Sequence, residues 1–260
     1  MRIFADTGRI FYGSAIAVLG GLTIYYRDFP YMLIPPKHSS IPGLTIIATI
    51  FGALLLLAGV CIVFAKKIEF ISLLLGTVLL LIFCFYYVPY QLMSAARYMH
   101  FGNWENAAKE LALAGGAFVM AGYFQEKKEN TLIRYLRKLI PTGSILFPVA
   151  IISFGIDHFL FASEAADYVP SWVPWHLFWI YFCGVALLGS GLAILLKIKP
   201  ALAAALLGIM ILTWFIVLHI PRIIASPVAY MGSEITSAFI ALAYSGIAFV
   251  IAGPRRKIPQ

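Results

Sequence analysis

Residues 205–222 read "ALLGIMILTWFIVLHIPR", and residues 73–90 read "LLLGTVLLLIFCFYYVPY". Aligned, Gly208 falls against Gly76 and Pro221 against Pro89. Neither run carries a charge before its end, and at about 1.5 Å per residue each is long enough to cross a hydrocarbon core of about 30 Å. Lipid offers the backbone no hydrogen-bond partner, so each run reads as a helix that satisfies its own peptide groups. Two helices with the same punctuation, far apart in one chain, predict that the architecture is built twice.

The neighbouring runs repeat in the same order. "FGALLLLAGVCIVFAKK" (51–67) matches "FCGVALLGSGLAILLKIK" (182–199), and "AAKELALAGGAFVMAG" (107–122) matches "TSAFIALAYSGIAFVIAG" (236–253). Eight apolar runs of spanning length fall near 8–26, 43–65, 69–92, 107–124, 143–163, 175–196, 200–222 and 235–253. Arg2 and Arg9 ahead of the first run resemble the start of a signal peptide, but "YYRDFPYM" (25–32) stands where small cleavage-site residues belong. The expectation is an all-α membrane protein with eight transmembrane helices in two tandem four-helix bundle repeats. Residues 1–124 form the first unit, residues 125–142 a basic amphipathic junction at the membrane surface, and residues 143–260 the second unit. Each unit has an even number of spans, so the repeat is parallel rather than inverted.

Composition agrees with lipid as the solvent. Hydrophobic residues make up 62% of the chain, charged residues 12%, and the mean hydropathy is +0.93. A soluble domain of 260 residues could not hide that much apolar surface. The net charge of +8 sits in short loops between apolar runs, so it reads as orientation information and not as a nucleic-acid surface. Fourteen Lys and Arg fall on the side of the N-terminus, against Arg27, Lys37, Arg97, Lys109 and Arg222 on the other. Both termini are therefore expected in the cytoplasm. Cys61, Cys84 and Cys183 lie inside apolar runs, spaced too widely for a CxxC pair or a zinc site, and read as buried small hydrophobes.

This orientation puts all five histidines (His38, His100, His158, His176 and His219) and four of the five tryptophans (Trp104, Trp172, Trp175 and Trp179) toward the outer side. Ionisable groups within spans are costly and usually face the bundle interior. Asp157, His158, His219 and Arg222 meet that description, with His176 at the lip of the sixth span. In the first unit Thr23 stands near the place of His158, Tyr87 in place of His219 and Tyr90 in place of Arg222. His219 and Arg222 are three apart and share a helix face. Pro221, without an N–H, frees the carbonyl of Val217.

Two readings of this set stand side by side. In one, Arg222 snorkels to the surface or pairs with Asp157, Pro221 ends the helix, and His219 caps a carbonyl. In the other, His158, His176 and His219 form a hydrogen-bonding cage for a quinone head group or a small anion, with Trp172 and Trp179 as a cover. As ligands for copper, haem iron or another metal the three histidines are weaker candidates, because no i,i+4 His pair is present. Glu105 and Lys109 form an i,i+4 pair, while Glu110 lies deeper with no evident partner. No flavin or dinucleotide motif is present, so electrons would come from a partner subunit. Few buried charges, no broken helix pair and a parallel repeat argue against transport.

"FGNWENAAKELALAGGAFVMAG" (101–122), "GIDHFLFASEAADYVPSWVPWHLFWIYFCGVALLGSG" (155–191) and "LHIPR" (218–222) resemble the DoxX family of small four-helix membrane proteins, in its tandem form. The resemblance implies one four-helix bundle per half and a bacterial cytoplasmic membrane. It also implies a range of roles: the membrane subunit of thiosulfate:quinone oxidoreductase in one branch, company for oxidative-stress enzymes in others, and assistance to receptor assembly in an animal relative. The function expected is thus a redox-linked membrane subunit with a quinone or small-molecule site. The alternative is a scaffold or assembly partner without a ligand of its own.

Overall fold

The computed structural model describes residues 2–30, 34, 43–93, 104–127, 130–226, 228 and 231–254. Lys37, His38, Arg97, His100, Lys128, Arg255, Arg256 and Lys257 lie outside them. The described residues are almost entirely helical, with no strand among them. The long helices are α1 (Arg2–Tyr26), α2 (Leu44–Val63), α3 (Ile68–Met93), α4 (Glu105–Tyr123), α5 (Thr131–Leu160), α6 (His176–Leu195), α7 (Pro200–Ala225) and α8 (Ser233–Ala252). Seven of them, all but α4, are long and apolar enough to cross a membrane. The basic stretch after α4 is helical from Thr131 and runs without a break into the body of α5, through a short 3-10 turn at Arg137–Leu139.

Each helix has a partner on either side. α1 packs between α2 and α8, and α5 packs between α4 and α6. α3 lies on α4 and α7 on α8, while α4 and α8 meet each other at the centre. α2 touches α3 only lightly, and α6 touches α7 only lightly. The core follows from this: Ala112, Leu113, Ala117 and Met120 of α4 and Ala243, Ile247, Ala248 and Val250 of α8 are buried together. α8 is the most enclosed of the seven apolar helices and α7 the least. The outer faces of α2, α3, α6 and α7 expose Ile50, Leu57, Phe85, Val185, Leu206 and Ile216, as lipid-facing helices do.

Close approach replaces hydrophobic drive at these seams. A Cβ on Gly59 would lie 2.3 Å from the backbone nitrogen of Ala17, and one on Gly8 2.3 Å from the carbonyl oxygen of Gly246. Such backbone contacts exist only because those positions carry no side chain.

Two π-helical turns, Phe83–Tyr87 and Phe215–His219, stand directly before Pro89 and Pro221. The N–H of Val88 donates to the Phe83 carbonyl and that of Ile220 to the Phe215 carbonyl. A proline ring clashes with the carbonyl four residues back and supplies no donor; widening the preceding turn relieves the clash and lets the helix continue. Pro221, considered above as the end of its helix, therefore follows a bulge through which the helix continues, and so does Pro89.

At the end shared by the N-terminus and the α6–α7 turn, polar groups tie the bundle together. Glu69, buried in the first turn of α3, accepts from Arg137 Nε (2.5 Å) and Nη2 (2.9 Å) and from the backbone N–H of Glu126 (2.7 Å). Arg9 Nη1 donates to the Ile62 carbonyl at 2.7 Å and also to that of Val63, capping α2. Among the cysteines, Cys183 is buried and Cys61 half-buried, whereas Cys84, expected inside, is exposed on α3.

Candidate functional site

The last turns of α5 hold Asp157 and His158, and His219 sits at the end of the π turn in α7. The first turns of α4 bring Glu105, Lys109 and Glu110 to the same end of the bundle. Lys109 pairs with Glu105 at 2.6 Å and donates to Asn106 Oδ1 at 3.2 Å. Both Glu105 and Lys109 lie within electrostatic reach of Asp157. Lys109, Arg222 and Glu234 lie within reach of His219, and Glu105 within reach of His158. Four helices thus converge on one polar set.

Within it, some groups are satisfied and others are not. The Nδ1 of His158 bonds the Phe154 carbonyl at 2.7 Å, one turn back on its own helix. Arg222 donates from Nε (2.8 Å) and Nη2 (2.6 Å) to the two oxygens of Glu234, in the first turn of α8, and its guanidinium stacks 4.5 Å above the Tyr168 ring. By contrast, both carboxylate oxygens of Asp157, both of Glu110, and Nδ1 of His219 are buried without a hydrogen-bond partner among the described residues. Glu110 has no exposed surface at all. Tyr12 and Tyr244 flank it electrostatically. Their hydroxyls donate to α4 carbonyls, Tyr12 to Leu113 (2.8 Å) and Tyr244 to Lys109 (3.2 Å). A buried polar atom without a partner costs on the order of 1–3 kcal/mol. Asp157 and His219 share Lys109 as a neighbour, and unsatisfied polar atoms at one end of a bundle point to a site built for something other than stability.

The sequence-derived residues divide in two. Asp157, His158, His219 and Arg222 enter this polar set, but the ion pair joins Arg222 to Glu234, not to Asp157 as considered above. Glu234 lies 12 positions after Arg222, in the first turn of α8, and offers both oxygens at fork geometry. His176 opens α6 half-buried, and no hydrogen bond among the described residues links it to the other imidazoles. Among the described residues no group of three or more His, Cys, Asp or Glu side chains could hold a metal ion. The weak metal candidates His158, His176 and His219 are therefore not brought together as a ligand set.

Trp172 and Trp179 belong to a second feature, a crevice of about 840 Å³ between α6 and α7. Its upper end is lined by Trp172, Trp179 and Trp214, with the last two rings edge-to-face at 6.0 Å. Val169 and Val173 of the preceding loop are buried against this end, while Trp172 is 66% exposed. Trp179 donates from Nε1 to the Pro174 carbonyl at 3.1 Å, which fixes the loop on the helix.

Sequence reasoning placed the polar set in the second half alone. The structure adds Glu105, Lys109, Glu110 and Tyr12 from the first half, and Tyr244 and Glu234 from α8. The isolated carboxylate in "AAKELALAGG" (107–116) was the one legible signal; a tyrosine in an apolar helix gives none. Compared with protein-family models, curated proteins and solved structures, the chain finds no match.

Proposed function

We propose that this is a redox-linked membrane subunit of the tandem DoxX-like kind, holding a quinone or another small oxidisable molecule at the outer ends of α4, α5, α7 and α8. The observation that carries the reading is that Asp157 and His219, each with buried polar atoms that lack a partner among the described residues, both lie within electrostatic reach of Lys109. A ligand with carbonyl or hydroxyl oxygens would satisfy an imidazole and a carboxyl together. Electrons would pass to or from a partner subunit.

The architecture proposed is eight crossings in two copies of a four-helix unit, in a bacterial cytoplasmic membrane with both termini inside. Three features support it. Moving every helix four places on leaves the packing scheme unchanged: α1 on α2 becomes α5 on α6, and α8 on α1 becomes α4 on α5. Gly20, Gly52 and Gly59 crowd the α1–α2 seam as Gly155, Gly184 and Gly191 crowd the α5–α6 seam. Both π turns precede their prolines by the same interval. α4 misses the composition of a span because it carries Glu105, Lys109 and Glu110, of which Glu110 is fully buried and Lys109 is neutralised by Glu105. The fourteen-to-five division of Lys and Arg supports the orientation.

Titration of the detergent-solubilised protein with a quinone tests the reading. The wild type is expected to bind, and His219→Ala to abolish binding while leaving the thermal midpoint within a few degrees. Unchanged binding in His219→Ala rejects the site. No quinone binding by the wild type, together with a stably co-purifying partner, supports the assembly-partner alternative. An ultraviolet–visible spectrum and metal analysis of the same sample decide whether haem or copper is present.

A further inference from the structure

The crevice between α6 and α7 runs from Trp172 and Trp179 at one end to Lys199 at the other, where α7 begins. From Lys199 to Val217, both on its wall, the helix climbs about 27 Å. The crevice is long and its lining almost wholly apolar, which suits a linear acyl chain.

The α6 wall explains the opening. Ala186, Gly189, Ser190 and Ala193 follow the i, i+3, i+4, i+7 spacing of a helix-packing face. At the α1–α2 seam such a face brings backbones into contact. Here a Cβ on Gly189 would meet no atom within 4 Å, so the small residues leave a slot instead of a seam. When α2 and α6 are aligned on Gly52 with Gly184 and Gly59 with Gly191, Leu54 and Leu57 stand where Ala186 and Gly189 stand.

Charge is confined to one mouth. Among the described residues Lys199 is the one charged side chain on the lining, and Lys197 is two residues before it. The first turn of a long helix adds the positive end of its dipole at the same place. An anionic head group is favoured there, and an apolar chain along the rest.

We propose that the α6–α7 crevice binds an anionic phospholipid of the surrounding bilayer, its phosphate at Lys199 and Lys197 and one acyl chain lying along Gly189 toward Trp214. Three of the five tryptophans line the crevice, so the bound chain is seen by fluorescence. The full-length protein is reconstituted in phosphatidylcholine vesicles, with rising fractions of bromine-labelled phosphatidylglycerol or, in parallel, bromine-labelled phosphatidylcholine. Half-maximal quenching is expected at an about thirtyfold lower fraction of the anionic lipid, the size expected for two lysines facing an anionic head group. Lys197→Ala with Lys199→Ala abolishes that difference. Ala186→Leu with Gly189→Leu, the residues α2 carries at these positions, lowers quenching by both lipids. Equal quenching of the wild type by the two lipids overturns the proposal, as does a preference that survives removal of both lysines. None of these substitutions alters His219, so the quinone titration succeeds or fails independently.

Discussion

Where α7 ends and α8 begins, Arg222 and Glu234 form the best-satisfied polar contact, two charge-assisted hydrogen bonds at fork geometry, and both side chains keep some solvent contact. Removing one partner leaves the other half-buried and unpaired, which costs more than the pair itself contributes. Arg222→Ala is therefore expected to destabilise by ~1–3 kcal/mol. Adding Glu234→Gln to Arg222→Ala should recover part of that loss in a double-mutant cycle of thermal unfolding in detergent. Glu110 presents the opposite case. Its two oxygens have no partner among the described residues, so stability is not what the carboxyl supplies. Replacing a buried unsatisfied group by an apolar one of similar shape removes a desolvation penalty, and Glu110→Met is expected to raise the thermal midpoint by an amount equivalent to ~1–3 kcal/mol while weakening ligand binding. A lower midpoint in Glu110→Met would mean that the carboxyl holds something structural.

Between helices, stability rests on a few backbone contacts. At Gly59 an added methyl would stand 2.3 Å from the Ala17 nitrogen, and backbone cannot move aside as a side chain can. Gly59→Ala should thus open the α1–α2 seam and cost ~1–3 kcal/mol by overpacking. Gly21, on the same helix α1, meets nothing within 4 Å. Gly21→Ala relieves backbone entropy without a clash and should be neutral or stabilise by ~0.5–1 kcal/mol. The pair measures packing against propensity within one helix, by thermal midpoints of the two variants. The π turns belong to the same scale. They keep α3 and α7 continuous across a proline, and in α7 the bulge puts His219 at the join of its two halves, within electrostatic reach of Arg222, Glu234 and Lys109.

For the molecule as a whole, the first helix of each half packs on the last helix of the other half. α1 leans on α8 through Gly8 and Gly246, and α5 on α4 through Gly143 and Gly115. Neither half closes its own bundle, so neither should fold alone. Fragments 1–124 and 125–260 expressed separately are expected to aggregate or be degraded. Co-expressed, they should purify together through a tag on either one. Recovery of a stable, monodisperse single half would contradict this exchanged packing. The interleaving also accounts for the composition of the polar set: α4 of the first half is held against α5 of the second, so Lys109 and Glu105 reach Asp157.

By itself the amino-acid sequence determined the medium and the elements. Lipid forces each backbone group to bond within its own helix, so composition along a single run is enough to read a span, and the prolines and glycines that punctuate the runs can be matched by eye. It also singled out Asp157, His158, His219 and Arg222, because a charge inside an apolar run is visible without knowing its neighbours. What those groups touch is a different question. Glu234 rather than Asp157 meets Arg222, Tyr12 comes to Glu110 from the other end of the first half, and His176 is not joined to the other imidazoles. Those outcomes depend on which helices lie side by side. Apolar faces of similar pattern are interchangeable along the chain, and only the close fit of glycine against backbone in three dimensions selects among them.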